Sequence, residues 1–253
     1  MRKIRSERAV SILLGITGIG LFLALWETIG QFRLLGLSWP PITDVLAFLQ
    51  DPSRWPLFSR ALGATLEALV LGYIIGLFAG VLTAMAAYLL PPFKPGLDRT
   101  SAFIHAVPSI ALAPLLIIFL GRNSTPSALA ALSTFFVLYV ATSSGLASTE
   151  RQWDDLLRVL GASRLVRFRR LNFPAALPTI ASGMRLAAPA SLIGVIVGEW
   201  FGAPRGIGVL IINAMQNFQI PLLWSAVLLT VLVSLMLFGA LGFFHTLMAE
   251  RFR

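Results

Sequence analysis

The chain contains no cysteine, which excludes disulfides, thiolate nucleophiles and cysteine-ligated metals together. It has two histidines, His105 and His245, too far apart in sequence to suggest a shared site. Its only lysines are Lys3 and Lys94, and neither stands in G-x-x-x-x-G-K-[ST], the loop whose amides and lysine cradle nucleotide phosphates. H-E-x-x-H and G-x-S-x-G are also missing, so no metal site, nucleophile or base can be named for an embedded enzyme. Charge is scarce as well. Charged residues make up 12% of the 253, about half the share in an ordinary soluble domain.

Apolar residues fill the space so vacated. They form 57% of the chain, and mean hydropathy is +0.83. They gather in runs near 10–30, 61–90, 97–120, 126–147, 176–200 and 221–248, each close to or above the roughly 20 residues that cross a bilayer as a helix. The runs lack the alternation of barrel strands, and backbone exposed to lipid must satisfy its own hydrogen bonds, so all six are expected to be helices. The first follows a basic stretch resembling a signal peptide. It is too long for one and no Ala-x-Ala site closes it, so a retained helix is expected after a tail at 1–9.

Net charge is +9. In a soluble protein that raises the question of nucleic acid, but membrane proteins retain lysine and arginine on cytoplasmic loops, so no nucleic-acid partner is expected. With the N-terminus inside, fourteen basic residues fall on inner segments and five on outer loops, Arg33, Arg54, Arg60, Arg122 and Arg205, while Arg185 lies within a span. That bias predicts both termini in the cytoplasm, an extracytoplasmic loop at 31–60, a five-helix membrane core over 61–248 and a cytoplasmic tail at 249–253. Trp39 and Trp55, each followed by proline, suit anchors on the outer loop.

Gly72, Gly76 and Gly80 repeat every fourth residue and share one face of the second span, where small residues let another helix approach. Pro108 and Pro114 are expected to break the third span, as tolerated where a helix lines a cavity or packs on protein. Candidates for a solute path are Thr65, His105, Ser109 and Arg185, the last with a structural pair to Asp98 as its alternative. Glu199, Asn213, Gln216 and Asn217 fall at or beyond the outer end of the fifth span, fitting an outer gate or a partner contact, with helix packing an equal alternative for Glu199. Glu27, Glu67 and Glu199 all lie toward outer ends, whereas ion coupling normally shows midplane carboxylates; an ion-coupled transporter or a channel remains the alternative function.

The most informative segment is 149–174. Thr149 and Gln152 have capping-box spacing, and Trp153, Leu156, Leu157 and Leu160 form one apolar helical stripe. Gly161 suits a C-terminal cap. Ser163 then caps a second short helix with a basic face, which Pro174 is expected to end. Such a knob fits either a membrane surface or a cytoplasmic partner.

These residues resemble the E-A-A, three residues, G, nine residues, I-x-L-P signature of permease subunits of binding-protein-dependent ABC importers. The aligned residues are Asp155-Leu156-Leu157, Gly161, Leu171, Phe173 and Pro174, with only the acid kept from E-A-A. Gly161-Ala162-Ser163, Pro174 to Pro178, Gly183-Met184-Arg185, Glu199 and Gly206-Ile207-Gly208 resemble the branch importing taurine, alkanesulfonates, nitrate and thiamine-precursor pyrimidines. The resemblance covers about 40 to 245 and implies an all-α type I importer permease (MetI-like) fold in the inner membrane. It implies a second permease copy, as a homodimer, a cytoplasmic ABC ATPase dimer that uses the ATP and magnesium, and an extracytoplasmic solute-binding protein, with no cofactor or metal on this chain. The knob would then be the coupling helix, seated on the ATPase through Trp153, Asp155, Leu156, Arg158, Ala162, Ser163 and Arg164 around Gly161 and Pro174.

Overall fold

The computed structural model describes residues 2–251, without the side chains of residues up to 9, of Ile12 and from 248 onward. The expected tails at 1–9 and 249–253 thus lie outside the described side chains, and Met1, Phe252 and Arg253 outside the described residues. Every regular element is helical. In chain order the α-helices are α1 (Arg2–Gln31), α2 (Ile42–Gln50), α3 (Trp55–Leu89), α4 (Lys94–Ala106), α5 (Ser109–Leu120), α6 (Thr125–Ala147), α7 (Arg151–Val159), α8 (Arg164–Arg167), α9 (Phe173–Trp200), α10 (Ile207–Gln216) and α11 (Ile220–Arg251).

Five uninterrupted helical stretches are long and apolar enough to cross a membrane: Leu13–Gln31, Pro52–Leu89, Thr125–Ala147, Arg164–Trp200 and Ile220–Leu247. The third expected span is a bent pair, Pro91–Ala106 and Ser109–Leu120, with 97° between its halves. The break falls at Val107, whose extended backbone is what a following proline imposes. Pro114, expected to break the chain too, lies inside α5, which continues through it; a single missing amide is tolerated in a membrane helix.

The chain divides into two compact units, Met1–Phe58 with Leu210–Leu228, and Ser59–Val209 with Leu229–Arg253. In the first, the rings of Trp26, Trp39 and Trp224 meet at 4.8 to 5.1 Å. The indole N–H groups of Trp26 and Trp224 donate to the Pro40 and Ser38 carbonyls at 3.0 and 2.9 Å. Trp39 thereby anchors its loop. Trp55 is exposed, and its N–H reaches the Leu49 carbonyl at 3.3 Å.

The second unit is built on α6, against which both α3 and α9 pack. A β-carbon at Gly72 would strike the Ser127 carbonyl and Ala130; at Gly76, the Ala131 carbonyl and Thr134; at Gly80, the Phe135 carbonyl and Leu138. Contacts that advance together along both helices mean that α3 and α6 run parallel. Against α9 the order reverses, with Gly145 on Ala176, Ala141 on Gly183, Leu129 on Gly194 and Pro126 on Gly198. Hence α6 and α9 are antiparallel, and the 148–163 connection turns back on the side where α3 and α6 both end.

The parallel pairing also decides what the bent pair does. For α6 to start on the side where α3 started, the intervening chain must cross the bilayer once. Halves of 13 and 12 residues reach about 20 and 18 Å, and neither alone spans the roughly 30 Å of hydrocarbon. The two together therefore make the third of six crossings.

Pro174 does not end a helix. The path from Arg164 to Trp200 is continuous, passing through a π turn at Phe168–Asn172. Pro174 follows closely on that π turn, whose wider register accommodates the missing N–H. The second short helix of the knob is thus the leading end of the long fifth helix.

Replacing Gly76 by leucine should lower the thermal unfolding temperature of the purified protein, through overpacking of about 1–3 kcal/mol, because α6 backbone faces it. Gly18→Ala should leave it unchanged, since nothing lies within 4 Å of a β-carbon there.

Candidate functional site

The α7–α8 elbow is a short amphipathic helix stopped by a fixed turn. Glu150 occupies the N-cap of α7 without a side-chain cap bond, and the Gln152 amide bonds the Glu150 carboxylate. The expected capping box at Thr149 is therefore absent: the helix starts one residue late, so Gln152 is its second residue instead of its third. The C-terminus follows expectation. The Gly161 N–H donates to the Arg158 carbonyl at 3.0 Å and Ala162 N–H to the Leu157 carbonyl at 2.9 Å, the Schellman pair. Gly161 has φ +77°, while space around its α-carbon is open; conformation alone calls for glycine there. Ser163 caps α8 by accepting from the Val166 N–H at 3.4 Å.

Asp154 fastens the two arms of the elbow together. Its carboxylate bonds the half-buried Arg167 and lies 3.5 Å from Arg158. Spacing i, i+4 makes Arg158 legible in the sequence; Arg167, thirteen residues away beyond the turn, is not. Arg164 lies over the Tyr88 ring at 5.1 Å, and buried Phe168 packs against Tyr88 and Phe173. The elbow is thereby mounted on the end of α3. A polar pocket of about 410 Å³ opens beside it, lined by Tyr88, Thr149, Arg151, Asp154, Arg158 and Asn172 among others. On the outer side Trp153, Leu156, Val159 and Leu160 remain 47 to 85% exposed, an apolar ridge standing beside exposed Asp155, Arg158 and Arg164. Ala162 is half-buried and Ser163 exposed.

At the opposite end of α9, Glu199 is buried and caps another helix. Its carboxyl oxygens accept from the Thr65 hydroxyl at 2.7 Å and the Gly208 N–H at 2.6 Å, and the Thr65 hydroxyl accepts from the Ile207 N–H at 2.8 Å. The first two amides of α10 are thus satisfied by side chains of α3 and α9, with acidic oxygen at the positive helix end. A β-carbon at Gly206 or Gly208 would run into Glu199, which gives the Gly206-Ile207-Gly208 motif its physical reason. Thr65, expected along the path, is fully buried in this clamp. A pocket of about 230 Å³ lies alongside, with Glu67, Asn123, Ser127 and Arg205 on its wall.

The remaining candidates are dispersed. Arg185 does not pair with Asp98, which takes Lys94 at 2.6 Å and the Tyr139 hydroxyl. Its guanidinium instead sits 3.9 Å from the centre of the Phe238 ring, beside Gly242, a cation–π contact that sequence distance conceals. Exposed His105 stacks on Phe136 at 3.8 Å, and Ser109 is half-buried at the start of α5. Asn213, Gln216 and Asn217 are exposed on and after α10, where the Asn217 amide donates to the Asn213 carbonyl at 2.8 Å.

Glu199→Ala should lower stability by about 1–3 kcal/mol, because the Gly208 N–H and the Thr65 hydroxyl are left unpaired in a buried place. Glu199→Gln, which keeps one accepting oxygen, should lose less. Thermal unfolding of the two variants in the same detergent measures the difference.

Comparison with known proteins agrees with this arrangement. Residues 58–253 match the family model described as binding-protein-dependent transport system inner membrane component. A probable ABC transporter permease of Haemophilus influenzae is 30% identical, covering 87% of this chain and 90% of its own. A formylaminopyrimidine transport permease of Halalkalibacterium halodurans is 32% identical over 88% and 87%. A putative aliphatic sulfonates transport permease of Bacillus subtilis is 25% identical over 92% and 85%. Among solved structures, an inward-facing methionine ABC transporter superposes with a TM-score of 0.70 at 13% identity, over 79% of this chain and 99% of that one. Six crossings with a bent third, a glycine-hinged elbow before the fifth and these matches agree, and the chain belongs to the family of membrane-spanning permease subunits of binding-protein-dependent ABC importers.

Proposed function

We propose that two copies of this chain line a path through the inner membrane for a small solute handed over by an extracytoplasmic binding protein. Both termini and the 149–174 elbow face the cytoplasm, where the elbow seats on an ABC ATPase dimer that binds the ATP and magnesium. Fourteen inner against five outer basic residues support that orientation. The solute belongs to the taurine, sulfonate, nitrate or pyrimidine-like class, supported by relatives named for formylaminopyrimidine and aliphatic sulfonates.

One observation carries this reading: the exposed ridge of Trp153, Leu156, Val159 and Leu160 stands on a mount fixed by the Asp154–Arg167 pair and the Gly161 turn. Apolar side chains beside arginines and an acid are what a grooved protein partner accommodates. A floppy loop dissipates a push, whereas this elbow passes it into α9.

Because the chain has no cysteine, single cysteines at Arg158 and Ser163 can be crosslinked without background. Both should capture the ATPase subunit. Gly161→Val, at a cost of about 1–3 kcal/mol for its left-handed backbone, should abolish solute-stimulated ATP hydrolysis while the protein still inserts. Gly161→Asn, which tolerates that conformation, should keep most of it. Active accumulation by the permease reconstituted alone, or crosslinks that never reach an ATPase, would overturn the proposal.

A further inference from the structure

The π turn at Phe168–Asn172 presents a pair of arginines that takes part in no ion pair among the described residues. Phe168 and Asn172 are buried, at 5% and 4% exposure, while Arg169 and Arg170 between them face outward. The neighbouring carboxylates are already committed among the described residues. Asp154 holds Arg167 and Arg158, Asp155 lies 4.0 Å from Arg158, and Asp98 takes Lys94. Arg169 and Arg170 form no ion pair there.

Helix length fixes where this pair lies relative to the bilayer. Arg170 precedes Trp200 by thirty residues on one uninterrupted helical path, about 45 Å along its axis, or about 42 Å across the membrane at a typical tilt near 20°. A bilayer measures about 40–45 Å from headgroup to headgroup. Trp200, 39% exposed, is the amphipathic ring expected in one interface. With Trp200 at that level, the two arginines arrive at the phosphates of the opposite leaflet.

We propose that Arg169 and Arg170 hold the headgroup of an anionic phospholipid in the leaflet on the elbow side. Guanidinium forks match phosphate oxygens bidentately, and the negative surface of that leaflet supplies the partner charge that the protein does not. The bound lipid sets the height of the elbow, whose apolar ridge then stands free of the bilayer for the ATPase. The inference rests on the cytoplasmic placement of the elbow proposed above.

The test uses the full chain purified in detergent with equal amounts of phosphatidylglycerol and phosphatidylcholine, and native mass spectrometry of the lipids retained. The wild type should retain phosphatidylglycerol preferentially, and more weakly as salt rises. Arg169→Gln with Arg170→Gln should cut that preference by roughly fivefold per arginine, whereas Arg205→Gln on a different loop should not. Equal retention of both lipids by the wild type, or an unchanged preference in the double variant, overturns the proposal. So does a double variant that keeps its lipid but no longer binds the ATPase, since the pair would then be a protein contact. A single cysteine at Leu165, labelled from one side of sealed vesicles, checks orientation separately: labelling from outside would sink the cytoplasmic reading, whatever the lipid result.

Discussion

The approach of backbones along α6 is the constraint on which the other features depend. Lipid tails supply no hydrophobic force to press helices together, so their association relies on packing and hydrogen bonds. Gly72, Gly76 and Gly80 of α3 and Gly183, Gly194 and Gly198 of α9 remove the side chains that would hold the axes apart. With both neighbours in register against α6, the relative directions of α3, α6 and α9 are determined. The crossing made by the bent pair, the side on which the elbow lies and the meeting of Thr65 with Glu199 all follow from that register.

Much of this was legible beforehand, because the signals were local. Six apolar runs, the four-residue glycine repeat, the amphipathic stripe of α7, the glycine stop at Gly161 and the Ser163 cap all depend on residues a few positions apart. Proline was read correctly at Pro108 and as too strong a breaker at Pro114 and Pro174. Pro108 bends the chain by 97°, whereas Pro114 and Pro174 are absorbed. The difference lies in context: Pro114 within α5 forfeits one amide bond that a membrane helix tolerates, and the π turn before Pro174 takes up the altered register.

What stayed hidden was long-range pairing. Thr65 and Glu199 are 134 residues apart, and each was read separately, one as a path residue and one as a gate, packing or docking residue. The paired glycines at 206 and 208 were the available signal, since two glycines at the start of a helix imply that something large comes close. Arg185 posed the opposite problem. A charge within a span suggests a carboxylate partner, but an aromatic face serves as well, and Phe238 lies 53 residues downstream, on another helix.

The elbow and the Glu199 clamp have one physical connection, the helical path from Arg164 to Trp200. It begins at the turn held by Gly161 and Asp154, and its penultimate residue is Glu199, whose carboxyl caps α10. A displacement imposed on the elbow therefore enters a rod roughly 55 Å long. Pro178 and Pro189 are the places where that rod can yield, each lacking one amide bond. Between and beyond them α9 is buried at Ala187, Ala188, Ser191, Leu192, Val195 and Ile196, and Gly194 and Gly198 are closed on α6 at Leu129 and Pro126, so sliding is opposed by close contacts along the half that ends at Trp200. Movement that the prolines do not absorb reaches Glu199, where shifting the carboxyl by about 1 Å strains two hydrogen bonds at once. One chain segment thus joins the elbow at one end to the Glu199 clamp at the other, so that neither can shift along the helix axis without loading the other.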